Sequence, residues 1–321
     1  MLNKTTEEDN MKSHKFNYDL SSLTQYTEEQ VLPLVTESLY SARTAQLVRI
    51  QTGIKYKEVI NIMADEVFIQ DGATCGFNAS GDTTFSQREI QVGSLKVDKS
   101  WCIQDLEDYW MQTQLTPGSI YNGMPFEQAF SEYFAGLIGQ ANENNIWQSS
   151  TTANGLYNGF IKIIDDAGTA IAGNTGSETS ITASNVISIF DNIMAAIPSG
   201  VDSKPDLAIM CGWDTFKILI QALRTANNFY YDGVDGNPYK TGDMTLPGWG
   251  VPVHAVHGLD GTNRIFAGRT SNFVIGTDLS GDSENFLFWM RDDKETFALK
   301  VRWKLGTQVA FPDEIVQYTN A

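Results

Sequence analysis

The spacing of apolar residues changes several times along the chain, and each change marks a segment. Residues 1–50 read as a polar, loosely anchored arm. Within it, Leu34, Leu39, Leu47 and Val48 supply an intermittent helical face after the first-turn acids Glu28 and Glu29. Residues 55–69 gather Val59, Ile60, Ile62, Met63, Val67, Phe68 and Ile69 into a β-leaning run, read as buried, whose type the pattern leaves open. Gly, Ser and Thr then dominate 70–100, with only Phe77, Phe85, Ile90 and Val92 between them. The alternation at Ile90 and Val92 predicts a long exposed hairpin with too little apolar material to fill a core of its own. Such a projection needs something to lie on.

The strongest helical period follows. Phe126, Phe130, Tyr133, Phe134, Leu137, Ile138 and Ala141 recur at spacings of three and four behind Pro125, which predicts a helix over 125–148. From Phe126 to Trp147 it makes a rod of roughly 33 Å. Beyond it, a strand or short helix is expected around 160–164, a turn at 165–168 and a Gly/Thr/Ser loop. A helix over 183–197, a buried strand over 206–211 and a helix over 213–223 follow, so this region reads as a mixed α/β unit. From about 245 the pattern is β throughout, with runs at 251–256, 264–267, 272–275, 286–290, 296–303 and 308–311. Phe297, Leu299, Val301 and Trp303 should face inward, and Lys300, Arg302 and Lys304 outward.

With 321 residues the chain is about twice the ~150-residue unit that one core fills, so two packed regions are expected. Composition is ordinary for a folded protein, with 42% hydrophobic and 19% charged residues. Charge changes the picture more. Twenty-two Lys and Arg face 39 Asp and Glu, a net of −17, which argues against sequence-nonspecific DNA binding or docking on an anionic membrane. The N-terminal sequence lacks the apolar core of a secretory signal and no run reaches the ~20 apolar residues of a bilayer span, so a soluble protein made in the cytoplasm is expected. Cys75, Cys102 and Cys211 are odd in number and far apart, which fits reduced thiols.

Candidate chemistry is sparse. No phosphate-binding glycine loop and no nucleophile elbow occurs. His254 and His257 sit where strand alternation sends them to opposite faces, and no paired-cysteine motif suggests zinc. The acid pairs Asp65-Glu66, Glu107-Asp108, Asp165-Asp166 and Asp292-Asp293 read as solvated, and the acidic loops at 232–237 and 278–282 do not match the EF-hand spacing. No catalytic residue, cofactor or metal is therefore expected, and the chain is read as a non-enzyme. A long aromatic helix, a projecting hairpin, a loose arm and an acidic surface together point to an obligate assembly with large interfaces.

The order of these elements resembles the major capsid proteins of tailed bacteriophages, the Hong Kong 97-type fold that encapsulins share. Local strings look closest to crAss-like and related gut phages. They are Cys75-Gly76-Phe77, Ser80-Gly81, Phe85-Ser86-Gln87-Arg88, Pro117-Gly118-Ser119, Pro125-Phe126, Trp147, Pro247-Gly248, Gly258-Leu259 and Gly306-Thr307-Gln308-Val309. The resemblance implies an α+β fold. Its parts would be an N-terminal arm at 1–50, a connecting segment at 51–65 and an extended β-hairpin loop at 66–100. A peripheral domain at 101–152 would hold the spine helix at 125–148, an α/β axial domain would fill 153–275, and return strands with the C-terminus 276–321.

It also implies a structural role: hexamers and pentamers that close an icosahedral virion shell, assembled in the host cytoplasm around double-stranded DNA without sequence-specific binding. Separate scaffold, portal and decoration proteins are the candidate partners, and no membrane is. Phe77, Phe85, Arg88, Ile90 and Val92 are the candidate subunit-interface residues, the apolar ones burying area on a neighbour and Arg88 meeting its acids. Cross-linking members carry a loop-tip lysine that 58–95 lacks. The alternatives are an encapsulin-like nanocompartment and, from a different class, a soluble α/β enzyme or binding protein with an unrecognised pocket. Deleting 78–92 is expected to leave a folded, soluble subunit that no longer closes shells, as seen by size-exclusion chromatography and negative-stain imaging.

Overall fold

The structure is a computed structural model and describes residues 42–65, 83–102, 126–153, 156–174, 176, 178–226, 238–278, 287–291 and 296–320. The expectations for 1–41, Cys75, Phe77, Pro125 and the pairs Glu107-Asp108 and Asp292-Asp293 lie outside these residues.

Two sheets organise the chain. The first is five-stranded, in the order β1 (Arg49–Thr52), β10 (Phe273–Thr277), β12 (Thr296–Val309) and β11 (Leu287–Arg291), with β4 (Gly93–Cys102) also paired to β12. The second is six-stranded: β5 (Ile171–Ala172), β13 (Val316–Tyr318), β9 (Ile265–Arg269), β6 (Leu207–Cys211), β8 (Pro252–Ala255) and β7 (Asp243–Thr245). β2 (Lys57–Asp65) and β3 (Thr83–Gln91) form a separate antiparallel ribbon.

The helices are α1 (Arg43–Leu47), α2 (Phe126–Gln148), α3 (Phe160–Ala167), α4 (Val186–Ala196), α5 (Ser199–Asp202), α6 (Trp213–Thr225) and α7 (Pro238–Thr241). Alternation in β6 explains how the second sheet is filled on both sides. Leu207, Ile209 and Cys211 pack with Phe190 and Ile193 of α4 and Phe216 and Leu219 of α6. Met210 faces the other core, with Trp147, Phe160, Phe266 and Phe273.

Trp147 lies at the centre of that second core. Its ring is 5.3 Å from Phe160, 5.5 Å from Phe266 and 6.0 Å from Phe273, so α2, α3 and one strand of each sheet meet on one side chain. Such aromatic pairs contribute about 1 kcal/mol each beyond their buried area. The indole Nε1–H donates to Thr44 Oγ1 at 2.7 Å. Thr44 in turn donates to buried Glu143, from its hydroxyl at 2.6 Å and its amide at 2.9 Å. Gly258, in the turn His257–Leu259, fits over this joint because a Cβ there would overlap Trp147 Cδ1.

Several expectations change. The helix α2 is where the period placed it, but Tyr133, Leu137 and Ala141 face outward, while Ala135, Ile138, Asn142 and Ile146 are buried. Apolar residues on α2 wrap more than one face, so spacing alone could not select the buried one. Over the described part of the run at 55–69, burial is uneven: Ile62 is buried and Ile60 half-buried. The run opens the ribbon, which starts at Lys57 rather than 66, and Tyr56 and Val59 are exposed. The segment at 160–164 is helical.

The runs at 296–303 and 308–311 are joined into the single strand β12. A boundary at 275/276 does not follow the sheets either, since β10 belongs to the first and β13 returns to the second. Gly306 lies between the runs at 296–303 and 308–311, within β12. It lets β12 pass straight beneath the hairpin root, since a Cβ there would overlap the Gln91 carbonyl oxygen and lie 2.9 Å from Val92 Cα.

Gly306→Ala should therefore cost about 2 kcal/mol by overpacking. An open strand position would show the opposite sign. Urea unfolding midpoints measure the difference.

Burial pushes the Glu143 carboxyl above its ordinary value of 4.5, against the hydrogen bonds from Thr44 and the Gly258 amide. The unfolded chain then ionises first as pH rises past 4.5, so the stability this group contributes in acid is lost on the way to neutrality. Unfolding midpoints across that range should fall less steeply for Glu143→Gln than for the wild type.

Candidate assembly interface

Three surfaces could hold chemistry or a partner, and the residues decide between them. At the first, Trp213 stacks on His257 at 5.4 Å, and Arg43 lies over the indole at 5.9 Å. Arg43 pairs with Asp243 at 2.6 Å, His254 Nδ1 donates to the same carboxylate at 2.5 Å, and His257 Nδ1 donates to Asp260 at 2.8 Å. The cleft beside them is about 570 Å³, lined by Trp213, Asp214, Lys217, Lys240, His257, Asp260 and Gly261.

Asp260 accepts from the Trp213 amide at 2.6 Å and Asp214 from the Gly261 amide at 2.9 Å, so both carboxylates hold backbone. The histidines serve different carboxylates, but strand alternation does not separate them: His257 lies beyond β8, in the turn His257–Leu259, and both border the same surface around Arg43 and Trp213. No group of three metal-ligating side chains occurs among the described residues. Cys211 is fully buried and burial pushes its thiol up, which suits packing rather than nucleophilic attack. Cys102 is exposed.

The second surface is the ribbon β2–β3, and it receives the sequence-predicted interface residues unequally. Ile90 and Val92 are 0% and 4% exposed and pack with Ile54 and Val274. Both are core residues of their own subunit, so they cannot bury area on a neighbour, a correction of the sequence reading. Their alternation was genuine, but the apolar face it marks covers β10. A deletion of 78–92 would remove this anchor along with the projection, so the expectation of an intact fold after it is withdrawn.

Phe85 lies on β3 in register with Met63, and Arg88 is half-buried in register with Ile60. Phe77 lies outside the described residues. Lys57 and Glu89 pair across the foot of the ribbon at 2.9 Å.

The third surface is the outer face of the first sheet. Lys96, Asp98, Lys300 and Arg302 share it through the β4–β12 register, and Trp289 joins through β11. Outward lysine and arginine on β12 were legible from alternation; their alignment with Lys96 was not, because only the β4–β12 pairing brings them together.

Among the described residues no helix is long and apolar enough to cross a membrane. No family model and no curated protein matches the sequence. Solved structures do. A chain of the satellite phage P4 procapsid, which includes the size determination (Sid) protein, matches at 13% identity with a TM-score of 0.59, over 96% of this chain and 93% of that one. The capsid of the Myoviridae phage XM1 matches at 10% identity and TM-score 0.55, over 86% and 90%. The virus-like particle from Pyrococcus furiosus matches at 10% identity and TM-score 0.52, over 92% and 99%. The chain thus has, over most of its length, the α+β fold of phage capsid proteins.

Proposed function

We propose that the chain is the major capsid protein of a tailed bacteriophage, a structural protein that self-assembles as hexamers and pentamers into an icosahedral shell around double-stranded DNA. The observation that carries this reading is the fold match over 96% of the chain to a procapsid chain. The ribbon β2–β3 supports it, because a two-stranded hairpin is marginal in water unless something covers it.

In the shell, Phe77, Phe85 and Arg88 of one copy contact its neighbour, and the residues before Ala42 form an arm that crosses another. Interfaces of obligate size, roughly 2,000 Å² or more, offset repulsion between acidic subunits that salt screens beyond about 8 Å. The local strings around Cys75, Pro117 and Pro125 favour a crAss-like relative.

A second reading is an encapsulin-like nanocompartment that encloses protein, and the match to a virus-like particle, over 99% of its chain, fits a closed shell of either kind. The purified chain should elute as large closed particles rather than as a subunit of 35.6 kDa. Absorbance ratio and gel analysis of particles from the natural source distinguish DNA from protein cargo. Deleting 66–82, which spares Ile90 and Val92, should leave a folded subunit that forms no closed shells in negative stain. Normal shells from that deletion would overturn the hairpin's role in assembly, and elution of the intact chain as a 35.6 kDa subunit would overturn the shell reading itself.

A further inference from the structure

The surface around Trp213 holds a ring that is both exposed and fixed. His257 stacks on Trp213 at 5.4 Å and 20°, and its Nδ1 donates to Asp260 Oδ2 at 2.8 Å. Trp213 is itself anchored, with its amide on Asp260 Oδ1 at 2.6 Å and Arg43 over its indole at 5.9 Å. The His257 side chain is nonetheless 67% exposed. A flat group that stacks on it meets a ring already ordered by the fold, so little conformational freedom is lost on binding.

Two cations border the same cleft. Lys217 lies one turn into α6, and Lys240 lies on α7, which Arg43 ties down by donating to the Thr241 carbonyl. Lys57, Lys96, Lys162 and Lys304 each hold a carboxylate. Lys217 and Lys240 hold none among the described residues, although both are exposed in a chain of net charge −17.

The carboxylates that line the cleft with them are occupied. Asp214 accepts from the Thr215 and Gly261 amides at 2.7 and 2.9 Å, and Asp260 accepts from the Trp213 amide and from His257. Each of the four oxygens thus has a donor, and the two ammonium groups are left for something outside the chain.

The size and lining of the cleft set the class of that ligand. At about 570 Å³ it falls within the roughly 300–1,000 Å³ of small-molecule sites and exceeds what a simple anion fills. A simple anion would leave the imidazole face unused, and an apolar molecule would leave both ammonium groups without a partner. A phosphate attached to a flat ring uses all three. The ammonium groups act as point charges on the phosphate oxygens, and any base stacks on an aromatic face.

We propose that the cleft between α6, α7 and the turn His257–Leu259 binds a free nucleoside monophosphate, with the base on His257 and the phosphate between Lys217 and Lys240. The site lies within one chain and does not depend on the shell reading.

Equilibrium dialysis of the purified full-length chain against labelled AMP tests it, with adenosine and inorganic phosphate as partial ligands. AMP should bind saturably at one per chain, and adenosine and phosphate should each bind about tenfold or more weaker. Lys217→Gln with Lys240→Gln should weaken AMP about tenfold and leave adenosine unchanged. His257→Ser should weaken AMP and adenosine alike. His257→Phe keeps a ring and gives up the bond to Asp260, and should hold AMP within about threefold of the wild type. That pair separates stacking from damage to the fold, which circular dichroism also monitors.

No saturable AMP binding at millimolar concentration would overturn the proposal, as would an AMP affinity unchanged by the lysine substitutions. Equal loss in both His257 variants would reduce the ring to a structural part and likewise overturns it. Phosphate bound as tightly as AMP would mean an anion site without stacking, and a single-stranded oligonucleotide bound more tightly than AMP would mean a polymer; both overturn it too.

Discussion

Trp147 is the side chain on which the two sheets depend. It closes the core between α2, α3, β9 and β10, and its one polar atom is satisfied by Thr44, whose hydroxyl is held by Glu143. A buried indole and a buried carboxylate are each costly without partners. Together with Thr44 they satisfy one another, and the chain at Arg43–Leu47 is fastened to the helix by the same bonds. Losing any member leaves buried polar groups unpaired, which costs more than the bond itself contributes.

That joint explains the economy of the rest. The first sheet needs only one face for its core, because α2 lies against it. The other face takes the hairpin root at one end, and Lys96, Asp98 and Arg302 on it are exposed. Gly306 and Gly276 make the close approach of the root possible, so the point where the ribbon leaves the body is fixed by backbone contact. A projection with a rigid base can be aimed.

Much of this was legible in the sequence. The period over 125–148 located α2, and alternation at Leu299, Val301 and Trp303 gave the inner face of β12. The order of segments led to the capsid fold. What was not legible depends on distant pairing. Ile90 and Val92 alternate like residues of an exposed hairpin, and only the approach of Gly276 makes them core. Tyr133 and Leu137 satisfy the helical period as well as Ile138 does, yet they face outward. The Thr44–Glu143–Trp147 bonds join residues far apart in sequence, with nothing local to announce them. A signal existed only for Trp147 and Gly258, which stood among the strings of the resemblance.

The placement of β13 has a bearing on how the protein is made. Val316–Tyr318 lies inside the second sheet, between β5 and β9, rather than at its rim. A ribosome-released fragment stopping short of Val316 lacks an interior strand and leaves β5 without its neighbour. The second sheet therefore cannot close until the segment Val316–Tyr318 is in place.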